Sequence, residues 1–214
     1  MLPRYHTVKQ TGEHEIIIQK SRFIAHIKRT ESEAEAQEFI QTLKKKYWDA
    51  THNCSAYLIG ENDQIQKAND DGEPSGTAGV PILEVLKKRK LKDTAVVVTR
   101  YFGGIKLGAG GLIRAYGKAA SEGLDAVGIV ERRLMRVCHV KIDYSWLGKI
   151  EKELRASSDY QVKKIHYLEI VEVETYVEDS AVQTFMDWII ELTNGQSTME
   201  KGENVYLEVD YIKS

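Results

Sequence analysis

Apolar side chains recur along this chain with two periods, every second residue and every third or fourth, and the two periods exchange places several times. Alternation over 15–19 and 22–28, with Ile16, Ile18, Phe23 and Ile27 among the apolar positions, predicts a pair of strands. Thr30-Glu31-Ser32-Glu33 has the form of a capping box, which sets a hydroxyl and a carboxylate against the free N–H groups of a helix start. The helix it announces carries Ala36, Phe39, Ile40, Leu43 and Tyr47 on one face. Residues 51–59 read as a strand and 64–68 as its hairpin partner across Gly60-Glu61-Asn62-Asp63. An irregular stretch over 69–79 follows, then a helix starting near Pro81, a residue tolerated in a first turn. Residues 94–99 are β-branched almost throughout and predict a buried strand. A glycine-rich loop then feeds a helix over 110–126.

The rhythm changes after Gly128. Residues 134–143 alternate as a strand, and 146–156 form a helix with Leu147, Ile150 and Leu154 on one face. Strands are expected at 161–167 and 169–177. Ser180-Ala181-Val182-Gln183 is expected to cap a helix carrying Val182, Phe185, Met186, Ile189 and Leu192, ended by Asn194-Gly195, with a last strand over 204–212. The order β-α-β-β-α-β is the ferredoxin-like split unit. Glu169, Glu172, Glu174 and Glu178 mostly alternate with apolar residues, as in a half-solvated sheet, and this half holds no catalytic motif. The fold class is therefore α+β, in two domains over 1–128 and 129–214, the second an accessory or binding module.

Charge sharpens this division. Residues 1–130 hold 19 basic against 16 acidic side chains, a balance of +3, and the remainder stands at −5. Between Lys87 and Lys118 there are nine basic residues and one acid, Asp93. Such a run focuses positive potential and points to an anionic partner, unless another part of the fold supplies its counter-charges. The 42% hydrophobic content is that of a globular protein. No apolar run approaches the ~18 residues of a bilayer span, the N-terminus lacks a signal-peptide stretch, and a cytoplasmic protein without membrane association is expected. Cys54 and Cys138 match no metal or redox spacing, so a disulfide framework does not organise the fold.

The segment from Arg100 to Arg114 holds five of the chain's 16 glycines between a strand and a helix. Glycines there let a ligand approach the backbone, and a helix start offers free N–H groups to an anion. Arg100, Lys106 and Arg114 can add charge-assisted bonds to phosphate, and Tyr101 or Phe102 can stack on a base. The expected phosphate contacts are Arg100, Tyr101, Gly103, Gly104, Lys106, Gly108, Gly110, Gly111 and Arg114, with the three basic side chains on one surface patch. The loop matches no nucleotide fingerprint, and tight strand–helix packing also uses such glycines. Asp70, Asp71 and Glu73 form an acidic knot beside Gly72, open to a turn role or to Mg²⁺. His52 and Cys54 share one side of a strand, so the imidazole can serve as general base or activate the thiol; a buried, inert cysteine is the alternative. His6, His14, His26, His139 and His166 show no ligand spacing, and no metal site is assigned.

Three motifs carry a resemblance. Asp70-Asp71-Gly72-Glu73-Pro74-Ser75-Gly76-Thr77-Ala78-Gly79 and the run from Val97 to Tyr116 closely resemble the Impact (YigZ-type) family, as does Thr51-His52-Asn53-Cys54-Ser55-Ala56-Tyr57. The resemblance spans about residues 20–126. It implies a first domain of the ribosomal S5 domain-2-like fold and a second like the last domain of translation elongation factor G, as bacterial members have. Eukaryotic members regulate translation under amino-acid stress through a different, N-terminal domain outside these motifs, so their protein partners do not carry over and stay unassigned.

Two functions follow as expectations. One is an RNA- or ribosome-associated regulator of translation that grips phosphate backbone through the basic glycine loop. The other is an enzyme on a phosphorylated or nucleotide substrate, with Asp70, Asp71 and Glu73 holding Mg²⁺ and His52 as base. No complete nucleophile–base–orienter set is visible, and no cofactor is assigned beyond that Mg²⁺. The acidic turn and the glycine loop are expected to meet in one cleft with His52 nearby.

Overall fold

The structure, a computed structural model, describes residues 1–211. In chain order the elements are β1 (Arg4–Val8), β2 (Gly12–Ile18), β3 (Ser21–Arg29), α1 (Glu33–Lys46), β4 (His52–Ile59), β5 (Ile65–Asn69), α2 (Gly79–Lys88), β6 (Thr94–Tyr101) and α3 (Gly108–Val127). They continue with β7 (Ile129–Ile142), α4 (Tyr144–Ala156), β8 (Gln161–Tyr167), β9 (Val171–Glu178), α5 (Val182–Leu192) and β10 (Ser197–Asp210). The chain divides into two compact units, Tyr5–Glu131 with the described residues from Val209 on, and Arg132–Glu208 with Met1–Arg4.

In the first unit five antiparallel strands lie in the order β2-β3-β6-β4-β5. β6 occupies the centre, and its alternation serves two cores. Val96 and Val98 join Phe23, Ala25 and Ile27 of β3 in a cluster closed by Ile82 and Leu86 of α2 and by Tyr116, Ala120 and Leu124 of α3. Ala95 and Val97 point the other way, into a smaller cluster with Ala36, Ile40 and Leu43 of α1. A strand covered on both faces needs apolar side chains at every position, which is why 94–99 lacks a polar stripe. Helix α3 lies close on the sheet because Gly123 has no side chain. A Cβ there would stand 2.7 Å from Ile27 Cδ1 and 2.8 Å from Ala25 Cβ.

The start of α1 corrects the expected capping box by two residues. Ser32 is the cap, its hydroxyl accepting from the Glu35 N–H at 3.3 Å, while the Glu35 carboxylate accepts from the Glu31 N–H at 2.8 Å. Glu33 and Glu35 in the first turn and Lys44, Lys45 and Lys46 in the last complement the helix dipole. The cap expected at Ser180 is absent as well, for α5 continues from a 3₁₀ turn over Asp179–Ala181 without a side-chain bond.

The second unit has the expected ferredoxin-like order. β7 pairs with β9, β9 with β8, and both β1 and β10 with β7, so β10-β7-β9-β8 is the ferredoxin-like part of a five-stranded sheet. Val140, Ile142, Val171, Val173 and Val177 face Ile150 and Leu154 of α4 and Phe185 and Ile189 of α5. The opposite face is half-exposed and polar. Asp143 caps α4 by accepting from the Ser145 N–H at 2.9 Å. Two strands are not foreseen by periodicity in whole or part: β1 is short and mixed in polarity, and the first half of β10 is almost wholly polar. The expected end of that last strand at Ile212 lies outside the described residues. Among the described residues no helix is long and apolar enough to cross a membrane.

Candidate functional site

Four elements of the first unit converge on Glu73. The register sets His52 of β4 opposite Arg100 of β6, and the turn after β5 brings Asp70, Asp71 and Glu73 against both. Glu73 is buried, and its Oε1 accepts from Arg100 Nη1 at 2.6 Å and from the Tyr116 hydroxyl of α3 at 2.7 Å. His52 Nε2 stands 3.8 Å from the other oxygen, Oε2. The Arg100 guanidinium lies between the rings of Phe23 and Phe102, 5.4 and 5.6 Å from their centroids. Arg100 is only 5% exposed. The expected surface patch of Arg100, Lys106 and Arg114 is thereby corrected at Arg100, whose charge is turned inward and neutralised by Glu73.

The acidic knot is equally occupied. Asp70 Oδ1 accepts from the Ala78 and Gly79 N–H groups at 3.0 and 2.8 Å, and Oδ2 from the Gly76 N–H at 2.8 Å. This carboxylate thus supplies the cap that α2 lacks at its own N-cap, Ala78. Burial pushes the Asp70 carboxyl up, but the three backbone donors outweigh it and hold it below its ordinary range. Asp71, at φ 47°, pairs with Lys44 Nζ at 2.6 Å and accepts from the Asn53 N–H at 2.6 Å. Among the described residues, five of the six carboxylate oxygens in the knot accept from the protein's own donors, leaving only Glu73 Oε2. Mg²⁺ is held through one or two available carboxylates and several waters, and this donor set does not fit it.

His52 and Cys54 do share one side of β4, and both reach the acidic turn. His52 Nδ1 lies 2.8 Å from the Asp71 carbonyl, and the Cys54 thiol donates to the Asp70 carbonyl at 3.0 Å. Burial pushes that thiol up to about 12, so it is protonated at neutral pH and not a nucleophile. Burial likewise raises Tyr116, with Cys54 and Glu73 adding to it, and keeps the phenol a donor. Neither Tyr116 nor Ser21, whose hydroxyl oxygen lies 3.5 Å from Arg100 Nη2, stands out in the sequence by residue type. Tyr116 closes the second matched motif, the one signal that marks it.

Above this cluster the glycine loop joins β6 to α3. Gly103 is required sterically, since a Cβ would overlap the backbone of Lys20 and Ser21, and its N–H donates to Ser21 Oγ at 3.2 Å. Gly104 and Gly108 adopt φ 87° and 70°, and a Cβ at either would meet nothing within 4 Å. The first turn of α3 therefore opens outward, with no side-chain cap and no acidic residue. Arg114 folds back over it, its Nη1 3.5 Å from where a Cβ of Gly110 would stand. Phe102 is 46% exposed beside it.

The basic run is half neutralised by acids outside it. Lys87 pairs with Glu84, Arg89 with Asp125, Lys92 with Asp63, Arg100 with Glu73 and Lys118 with Glu122. Lys106 and Arg114 form no ion pair among the described residues.

An S5 domain-2-like sheet bearing this loop, followed by a ferredoxin-like unit, defines a two-domain α+β protein of the Impact type. Residues 19–124 match the family described as "Impact N-terminal domain" and residues 140–196 that described as "Domain of unknown function (DUF1949)". The chain is 67% identical to IMPACT family member YvyE of Bacillus subtilis (strain 168), over 100% of this chain and 99% of that protein. It is 36% identical to IMPACT family member YigZ of Escherichia coli (strain K12), over 67% of this chain and 74% of that protein. A solved structure titled "Crystal structure of an hypothetical protein" matches with TM-score 0.60 and 27% identity, over 95% of this chain and 99% of that one. The chain belongs to the Impact family.

Proposed function

We propose that this protein is a cytosolic RNA- or ribosome-associated regulator of translation, which binds phosphate backbone at the glycine loop. The observation that carries the reading is the uncapped, glycine-lined first turn of α3, with Lys106 and Arg114 beside it and outside every ion pair among the described residues. Free N–H groups and the positive end of a 20-residue helix favour an anion there. Gly104, Gly108 and Gly110 keep the backbone accessible, Gly111 is packed against Leu107, and Phe102 offers an aromatic face to a base. Tyr101 is less available, since its hydroxyl donates to Asp49 at 3.0 Å. Arg100 acts from below by fixing Phe102 and the turn, not by touching phosphate.

Fluorescence anisotropy with a single-stranded RNA across a salt series tests this. Lys106→Ala and Arg114→Ala should each lower affinity and flatten the log–log salt slope by about 0.7 for each phosphate left without its cation. Unchanged affinity and slope in both variants overturn the loop as the RNA site. Crosslinking to total RNA and ribosomes, followed by mapping, then identifies the target.

A further inference from the structure

We propose that the second unit binds one divalent ion of the zinc class on the polar face of its sheet, through His139, Glu172 and Glu174, with His166 as the fourth donor. Sequence spacing hides this group, because its members lie on three strands. Pairing of β7 with β9 sets His139 opposite Glu174, and pairing of β8 with β9 sets His166 opposite Glu172. Alternation along β9 turns Val171 and Val173 into the core, so Glu172 and Glu174 project to the other face. One donor atom each from His139, Glu172 and Glu174 falls within 4.8 Å of the others.

The donors are already drawn together. His139 Nδ1 lies 2.7 Å from Glu172 Oε1, and His166 Nε2 lies 2.7 Å from Glu174 Oε1. Each pair shares a proton that a metal ion can replace, because a ligating imidazole must be neutral. Around a tetrahedral ion with bonds near ~2.0 Å, neighbouring donors stand ~3.3 Å apart. Each hydrogen-bonded pair therefore opens by about half an ångström, the three grouped donors close from up to 4.8 Å, and His166, outside that group, swings in beside Glu174. Two imidazoles and two carboxylates suit zinc and its neighbours in the first transition row. Mg²⁺ and Ca²⁺ prefer oxygen throughout. The side chains of His139, Glu172, Glu174 and His166 are 27, 21, 13 and 30% exposed, partly shielded yet reachable from solvent.

A further feature positions the site. Gly202 of β10 faces the His139 ring, and a Cβ there would stand 2.6 Å from Nε2. The absent side chain makes room for the imidazole beside β10 and fixes which nitrogen faces Glu172. Lys141 is drawn away to Glu200 at 2.9 Å. Lys163 stays, with Nζ 3.0 Å from Glu174 Oε2, and is the cation a metal must displace. Four protein donors leave no open position, so the ion would act as a staple across three strands and not as a catalyst.

Isothermal titration of the chelator-stripped full chain with Zn²⁺ should show one saturable site, proton release and a rise in melting temperature. Glu172→Gln and His139→Gln should each weaken the site by more than the ~10–100-fold that even outer-shell partners cost. Lys163→Met should tighten it, a gain that impaired folding cannot mimic. X-ray absorption of the zinc-loaded chain should show nitrogen and oxygen near ~2.0–2.1 Å, with no sulfur at ~2.3 Å from a cysteine site. Absence of a saturable site, or one that survives Glu172→Gln and ignores Lys163→Met, overturns the proposal. The four histidine and glutamate side chains are then a ladder of ion pairs only.

Discussion

Glu73 receives an arginine and a tyrosine on one oxygen, and the stability of the site region rests on that meeting. A buried pair is strongly unfavourable to break on one side only, because the remaining charge loses its partner inside the protein. Glu73→Gln or Arg100→Met should therefore destabilise the first unit by about 3–5 kcal/mol in chemical denaturation, and the double substitution by less than their sum. Single losses below ~1 kcal/mol would mean that the Arg100 charge is free, and would return it to the phosphate ligands. Asp70 gives a pH signature. Its folded carboxyl is depressed, so its contribution is complete above the unfolded value near ~3.9 and is lost as pH falls through the lower folded value. Asp70→Asn should flatten that acid limb in thermal melts taken between neutral pH and acid. Cys54, with its thiol at about 12, should resist alkylation in the native protein and react only after unfolding. Rapid native labelling would contradict its burial.

At the scale of elements, the loop glycines separate into distinct jobs. Gly103 is packed against the β2–β3 turn, and Gly103→Ala should destabilise because the obstructing atoms are backbone. Gly110 is different, since it sits in the first turn of α3 with an ordinary helical φ and only the Arg114 guanidinium nearby. Gly110→Ala should raise stability by up to ~1 kcal/mol through helix propensity. It should also weaken RNA binding, because the new methyl, in ordinary contact with Arg114 Nη1 at 3.5 Å, intrudes on the anion's approach. Denaturation and anisotropy on this one variant test both effects. A stabilised variant with intact RNA affinity would remove the first turn of α3 from the binding site.

For the whole molecule, we propose that the chain folds as two cooperative units divided near Gly128, which closes α3 at φ 77° just before β7 begins. Each has its own apolar cluster. Hydrogen exchange should show two protection levels, and Zn²⁺ should raise only that of the second unit. Uniform protection across both would show a single cooperative body.

Sequence alone determined the elements whose apolar positions repeat: the face of α1, the doubly buried β6, the helices of the second unit and its βαββαβ order. Periodicity is a local property, and burial of a face reinforces it at every turn. Sequence also marked the glycine loop and the family, because motifs are written in consecutive residues. Only the tertiary structure decided where charges go. Arg100 and Glu73 are 27 positions apart in the chain, and nothing in a count of basic residues tells a buried arginine from a solvated one. The acidic knot has the composition of a metal site, yet the α2 amides, Lys44 and Arg100 occupy it. His139 and Glu172, without ligand spacing along the chain, meet because adjacent strands lie under about 5 Å apart whatever their separation in sequence. Coulomb and hydrogen-bond partners are chosen by distance in space, and that distance exists only after the chain has folded.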